Sequence, residues 1–179
     1  NGAGTLGSVG YQEGSGWNQE RATAWEYIAQ IAIANRKYNV AIRALHNAII
    51  EAPEFPMYYI DMAMVLTEQE QFDKAKHWLN LATSIKLPET TIITTPRDLK
   101  TKALEVDYNI AIHELDMDRA IKDSEMLCKI LPNVKELTDR HQMVLSLRKA
   151  NKACQSIVYL GKYLEELKET TKLKETTKK

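Results

Sequence analysis

Apolar residues recur at intervals of three and four along most of the chain, which is the spacing of one face of an α-helix. The first such pattern follows Asn18, a predicted N-cap, and leads through a polar turn at 35–37 into a second helix at 38–52. Pro53 ends that second helix, because proline cannot continue the hydrogen bonding of a helix interior. The pattern therefore predicts two helices joined by a short turn.

The same pattern returns after 34 residues, and the small residues return with it. A shift of 34 residues places Trp25 on Tyr59, Ala41 on Ala75, Leu45 on Leu79 and Ala48 on Ala82. Alanine at matched positions indicates helix backbones that approach too closely for a larger side chain. In a third copy Ala120 follows Ala75 by 45 residues, so that 45 − 34 = 11 residues have been inserted. The repeats predict an all-α fold, an α-solenoid of three helix pairs.

The repeat pattern divides the chain into a linker, a helical domain and a tail. Residues 1–16 hold six of the seven glycines and predict a flexible linker, because they offer little apolar surface to bury. The helical-repeat domain covers 17–168, and the polar residues 169–179 are expected to fray. Within the domain we assign the repeats to about 22–55, 56–89 and 101–134, an insertion to 90–100, and one or two capping helices to 134–168.

The insertion is predicted to end in a helix start. Its β-branched run at 90–95 favours extended backbone. Thr95 as N-cap, Pro96 at the first helical position and Asp98 three residues after the cap then form a variant of the capping box. The first helix of the third repeat should therefore begin near Pro96 and continue to about Leu115.

Over residues 22–132 these alanines, aromatic residues and terminal prolines resemble the tetratricopeptide repeat (TPR) family. The resemblance implies that the first helix of each repeat lines a concave groove, which holds a protein or peptide. It also implies that Trp25, Tyr38, Tyr59 and Phe72 pack in the core. By register, the groove positions are Glu26, Gln30 and Ile33 in repeat one, Met57, Ile60 and Met64 in repeat two, and Lys102, Glu105 and Asn109 in repeat three.

The chemistry of these groove positions favours an amphipathic helix or an extended peptide as ligand, since methionines adapt to irregular apolar surfaces while charges fix orientation. Members of the family that bind chaperone tails clamp a terminal carboxylate with lysine, asparagine and arginine. This sequence has Glu26, Gln30, Asp61 and Val106 at such places, and only Lys102 agrees with the family. Negative side chains repel a carboxylate, so capture of a chaperone tail is disfavoured.

Two other functions are left open by the sequence. A second resemblance is to the TPR segment downstream of the catalytic domain in some bacterial family-2 glycosyltransferases. It rests on Glu20-Arg21, on the junction from Glu51 to Pro56 and on Pro96-Arg-Asp-Leu99. It implies an accessory module of a larger multidomain enzyme, whose catalytic domain would lie outside this chain. A purely structural unit that self-associates through an open end of the solenoid is the third hypothesis.

Composition narrows the class of protein further. Lysine and arginine balance aspartate and glutamate at 24 each, which gives no field to attract nucleic acid or anionic lipid. No apolar run approaches the roughly 20 residues that span a bilayer, and no signal peptide is recognisable. Cys128 and Cys154 are expected to be reduced core thiols, because two cysteines make no disulfide framework. We therefore expect a cytoplasmic protein without nucleic-acid or membrane partners.

Catalytic and metal-binding patterns are weak in this sequence. Gly2, Gly4 and Gly7 match the spacing of a dinucleotide fingerprint, but no strand precedes them. Asp116-Met-Asp118 resembles a metal-binding carboxylate pair, yet it falls in a predicted turn where aspartate is a good helix cap. The four histidines have no spacing that would place two of them on one helical face. The sequence thus predicts no catalytic residue, no metal and no cofactor.

Overall fold

The computed structural model describes residues 15–86 and 96–177, and throughout these two ranges the regular structure is helical. The helices are α1 (Ser15–Ala34), α2 (Tyr38–Glu51), α3 (Pro56–Glu68), α4 (Phe72–Ser84), α5 (Pro96–His113), α6 (Met117–Ile130) and α7 (Lys135–Thr176). They group into two compact units, residues 1–115 and 116–179, so the division falls inside the predicted third repeat. The first unit holds α1 to α5 and the second holds α6 and α7.

The helix bounds of the first two repeats agree with the sequence pattern except at the start of α1. Helix α1 begins at Ser15, so Asn18 lies inside the helix and does not cap it. The physical reason is local, because the Asn18 side chain accepts a hydrogen bond from the Arg21 guanidinium. The predicted linker 1–16 therefore overlaps α1 at its end, and residues 1–14 lie outside the described residues.

The turns inside the repeats share one backbone conformation. Arg36, Glu70 and Leu115 have φ angles of 56°, 58° and 59°, the left-handed region that a helix often enters just after its last turn. The residue that follows Arg36 and the one that follows Glu70 each donate a backbone hydrogen bond to the carbonyl five residues earlier. These bonds run from Lys37 N to Ala32 O and from Gln71 N to Leu66 O. These three residues are 34 and 45 positions apart, which are also the spacings between Ala41, Ala75 and Ala120. The backbone thus repeats with the register that the sequence predicts.

The core of the first unit is built around the matched small residues. Ala29, Ala41, Ala63 and Ala75 are all 0% exposed, and Leu45 is fully buried among them. The aromatic residues predicted for the core, Trp25, Tyr38, Tyr59 and Phe72, are partly buried and pack against this cluster. Small side chains let neighbouring helices approach closely, and the larger residues fill the space between them. This packing fixes the backbones that carry the groove.

Helix α5 begins at Pro96, as the capping pattern predicts. The remaining predictions for the insertion, an extended run at 90–95 and Thr95 as N-cap, lie outside the described residues. Helix α5 packs on α3 and on α4, and Lys76 Nζ of α4 pairs with a Glu114 carboxylate oxygen at 2.6 Å just after α5 ends. The third groove helix is therefore held against the second repeat.

In the second unit, the first turns of α7 pack against α6. Leu137 and Val144 are buried, and Ser124 Oγ of α6 shares a hydrogen bond with His141 Nδ1 of α7 at 2.7 Å. The sequence predicts one or two capping helices that end near residue 168. The structure has one helix here, of 42 residues, which continues past residue 168 to Thr176, and from Lys149 to Thr177 every residue is exposed.

Two expectations about the carboxyl end differ from the structure. Residues 169–176 continue α7, although the sequence predicts that they fray, because lysine, glutamate and leucine sustain the helix despite the threonines. Cys154 is exposed and only Cys128 is partly buried, so the prediction of two core thiols is wrong for Cys154. That residue lies on the part of α7 where every residue is exposed. No helix within 15–86 or 96–177 has both the length and the apolar character needed to cross a bilayer.

Candidate functional site

A surface shared by three helices carries most of the predicted groove residues. Helices α1, α3 and α5 are each the first helix of a repeat, and all three lie in the first unit. Their side chains meet at Asp61, which is 0% exposed at the centre of α3. Gln30 of α1 and Lys102 of α5 both reach this carboxylate, so residues distant in sequence form one site.

Asp61 is a buried carboxylate that forms one ion pair and accepts one hydrogen bond. Lys102 Nζ lies 2.5 Å from one Asp61 oxygen, and Gln30 Nε2 donates to the other at 3.3 Å. The ammonium also contacts Met57 Sδ at 3.3 Å. Since a buried charge is costly unless it is paired and hydrogen-bonded, these contacts make Asp61 tolerable in the core. The Lys102 ammonium is thereby held in an ion pair with Asp61.

Burial controls the proton affinities of this site. It raises the pKa of the Asp61 carboxyl above its usual value, and the Lys102 ammonium partly opposes that rise. Burial also raises the pKa of Glu26, and the negative charge of Asp61 raises it further. Burial, followed by the charge of Glu26, raises the pKa of Tyr58 to about 12. The site therefore holds more negative charge than the single ammonium of Lys102 balances.

The nine predicted groove residues differ in how much of each is exposed to solvent. Asn109 is exposed, and seven others are half-buried: Glu26, Gln30, Ile33, Met57, Met64, Lys102 and Glu105. Ile60 is only 2% exposed and belongs to the core cluster, where it lines an apolar cavity of about 470 Å³ with Leu79 and Leu99. Its side chain is therefore not available to a ligand in the groove. The other eight keep some surface that a ligand could contact.

Several residues at this site were not among those inferred from register. Tyr27, Phe55 and Tyr58 line a cavity of about 370 Å³ next to Glu26. Phe55 precedes α3, and its ring centroid lies 6.2 Å from that of Tyr58. Register could not identify Tyr27 and Tyr58, because each follows a groove position by one residue and so lies about 100° further around its helix, and Phe55 precedes α3. An aromatic residue in the turn just before Pro56 was the only signal available in the sequence.

Aspartates and histidines that were weighed as metal ligands from the sequence make structural contacts. Asp116 caps α6 by accepting a hydrogen bond from Arg119 N at 3.2 Å, and Asp118 pairs with Arg148 of α7 at 2.9 Å. His46 and His113 contact the rings of Trp78 and Phe72. Among the residues that the structure describes, no three histidine, cysteine or acidic side chains are grouped so that they could hold a metal ion. The glycines at 2, 4 and 7 lie outside the described residues.

Compared with known proteins, the sequence matches no family model and no curated protein. The structure, however, matches solved TPR domains. The first TPR domain of human RPAP3 has a TM-score of 0.62 and 18% identity, over 75% of this chain and 98% of that one.

Two further solved TPR domains match the structure at similar TM-scores and sequence identities. The first TPR of Spaghetti (RPAP3), bound to the HSP90 peptide SRMEEVD, has a TM-score of 0.60 and 19% identity, over 73% of this chain and 98% of that one. The TPR domain of Sgt2 from Aspergillus fumigatus has a TM-score of 0.58 and 19% identity, over 73% of this chain and 82% of that one. The chain therefore has the fold of tetratricopeptide-repeat domains.

Proposed function

We propose that this chain is a non-catalytic scaffold that binds a protein segment or peptide along α1, α3 and α5. The observation that carries the proposal is the link from Gln30 through Asp61 to Lys102, which connects the first helices of three repeats. Half-buried methionines beside this link, Met57 and Met64, offer apolar surface that adapts to a ligand. The glycosyltransferase alternative has no observation in its favour and stays a prediction from the sequence.

The charge of this groove argues against an acidic peptide as ligand. Solved relatives in fold carry peptides such as SRMEEVD and SGPTIEEVD, which end in acidic residues. In this chain the only lysine among the predicted groove residues is paired with Asp61, and the remaining charged groove residues, Glu26 and Glu105, are both negative. A negatively charged tail would meet repulsion here. The ligand should instead be neutral or basic where it passes Glu26.

A selection of random peptides displayed on phage tests this function. We expect peptides that bind the chain, and we expect binding of a selected peptide to weaken at least tenfold in Met64→Glu combined with Asn109→Ala, measured by fluorescence anisotropy. The variant Asn109→Arg, changed at an exposed position, adds a charge and bulk without disturbing the core. It should also weaken binding, because the side chain lies at the groove face of α5.

The matched control is His77→Arg, at an exposed position on α4, which is not a groove helix. It should bind the selected peptide as the parent chain does, with folding of every variant checked by circular dichroism. Failure to select any peptide would overturn the proposal. Equal binding by the parent chain and by Asn109→Arg and the double variant would place the ligand elsewhere and overturn the groove assignment.

A further inference from the structure

The cavity of about 370 Å³ beside the groove combines a carboxylate with aromatic walls. Glu26 and Tyr27 reach it from α1, Phe55 from the residue just before α3, Tyr58 from the first turn of α3, and Asp98 from the first turn of α5. Met57 completes the apolar part of the lining. Most ligand sites in proteins have this composition, an apolar wall with a few polar groups that fix orientation.

Glu26 is the residue of this cavity whose charge is least compensated. Its side chain is half-buried, and among the described residues its carboxylate makes no hydrogen bond or ion pair. Lys102 lies close enough to act on Glu26 through its charge, but its ammonium is held by Asp61 at 2.5 Å. Because a half-buried carboxylate without a partner is unfavourable, a cation that enters the cavity would relieve this cost.

The aromatic residues favour a particular kind of cation. Tyr27 is 69% exposed and Phe55 is half-buried, so both offer ring surface, whereas Tyr58 is only 4% exposed and packs beside the Phe55 ring. The face of an aromatic ring attracts a cation, and a guanidinium both stacks on such a face and binds a carboxylate through two parallel hydrogen bonds. The aliphatic stem of an arginine would meanwhile lie against Met57 and the ring edges.

We propose that this cavity binds the guanidinium group of an arginine side chain, with Glu26 as its counter-charge. The inference rests on the proposed function, because the arginine would belong to a peptide lying in the groove beside the cavity. Asp98 of α5 adds a second carboxylate to the lining. An anionic group would be excluded from the same place.

A titration with a small probe tests the cavity without knowledge of the natural ligand. The probe is N-acetyl-arginine methylamide, and the comparison probe is its uncharged isostere N-acetyl-citrulline methylamide. We expect the arginine probe to shift the backbone amide signals of α1 and α3 residues around the cavity in an NMR titration. The citrulline probe should bind at least tenfold more weakly, because it keeps the shape and loses the charge.

Glu26→Gln should weaken the arginine probe at least tenfold, since the substitution removes one charge at nearly constant volume. The matched control is Glu68→Gln, which removes an exposed carboxylate at the end of α3 that does not line the cavity and should leave the titration unchanged. Equal binding of both probes, or unchanged arginine binding in Glu26→Gln, would overturn the inference. Shifts confined to residues away from the cavity would do the same.

The two proposals can fail separately. If selected peptides bind the groove while the arginine probe does not bind the cavity, the cation site is wrong and the scaffold function stands. If the arginine probe binds through Glu26 while no peptide is selected, the cavity stands as a cation site and the groove function is wrong. Selected peptides that lack arginine yet depend on Glu26 would also contradict the cation site.

Discussion

Replacing Lys102 with methionine is expected to lower the free energy of unfolding by about 3 kcal/mol at neutral pH. Methionine keeps the length and much of the packing of the lysine stem, so the substitution mainly removes the positive charge. Among the described residues, Gln30 would then be the one side chain that still donates a hydrogen bond to the fully buried Asp61. Urea unfolding followed by circular dichroism measures the loss, with the slope of the transition showing whether unfolding stays two-state.

The pH dependence of this loss follows from the pKa of Asp61. That pKa is already raised above the unfolded value, and removal of the Lys102 ammonium raises it further. In the variant, the folded state then binds a proton that the unfolded state does not bind, so its stability increases as the pH falls through the raised pKa. The difference from the parent chain should therefore shrink on acidification. A difference that grows instead would contradict the assigned ion pair.

The control for Lys102→Met removes both charges of the pair. Asp61→Asn combined with Lys102→Met leaves a neutral amide that can still accept the hydrogen bond from Gln30. We expect the double variant to be more stable than Lys102→Met alone, because no uncompensated charge stays buried. If the double variant is the less stable of the two, the loss comes from packing and not from electrostatics.

Ala41→Leu is expected to lower the free energy of unfolding by about 1 to 3 kcal/mol, because the larger side chain overpacks the contact between α1 and α2. Ala41 is 0% exposed, and those two helices form one of the closest pairs in the first unit. The matched control is Ala24→Leu, at an exposed position on α1, which should change the stability little. A thermal melt of Ala41→Leu equal to that of the parent chain would refute the repeat alignment.

Much of the fold could be predicted because its signals are local and repeated. Ala41 and Ala75 mark close helix contacts, and Pro56 and Pro96 mark helix starts, in each case through properties of the residue itself. The start of α1 could not be placed, because Asn18 has the chemistry of a cap but bonds to Arg21. The sequence left open whether one or two helices follow residue 134, because the small residues there no longer follow the repeat.

The candidate site was predictable in outline only. Register selected Gln30 and Lys102, and both side chains contact Asp61 in the structure, since equivalent turns of successive repeats lie side by side. It could not show that Asp61 is fully buried and pairs with Lys102, because that depends on distances between three helices. It also included Ile60, whose side chain belongs to the core. The register gives a residue's position along the repeat, but it does not show whether a neighbouring helix covers that residue.

The length of α7 beyond its contact with α6 has a consequence for hydrogen exchange. From Lys149 to Thr177 every residue is exposed, so an amide there can exchange when a few helical bonds open and no tertiary contact is broken. Near Leu137 and Val144 the same event would expose buried surface. Deuterium uptake should therefore rise along this one helix. Slow uptake in its distal part would mean that something outside the described residues covers it.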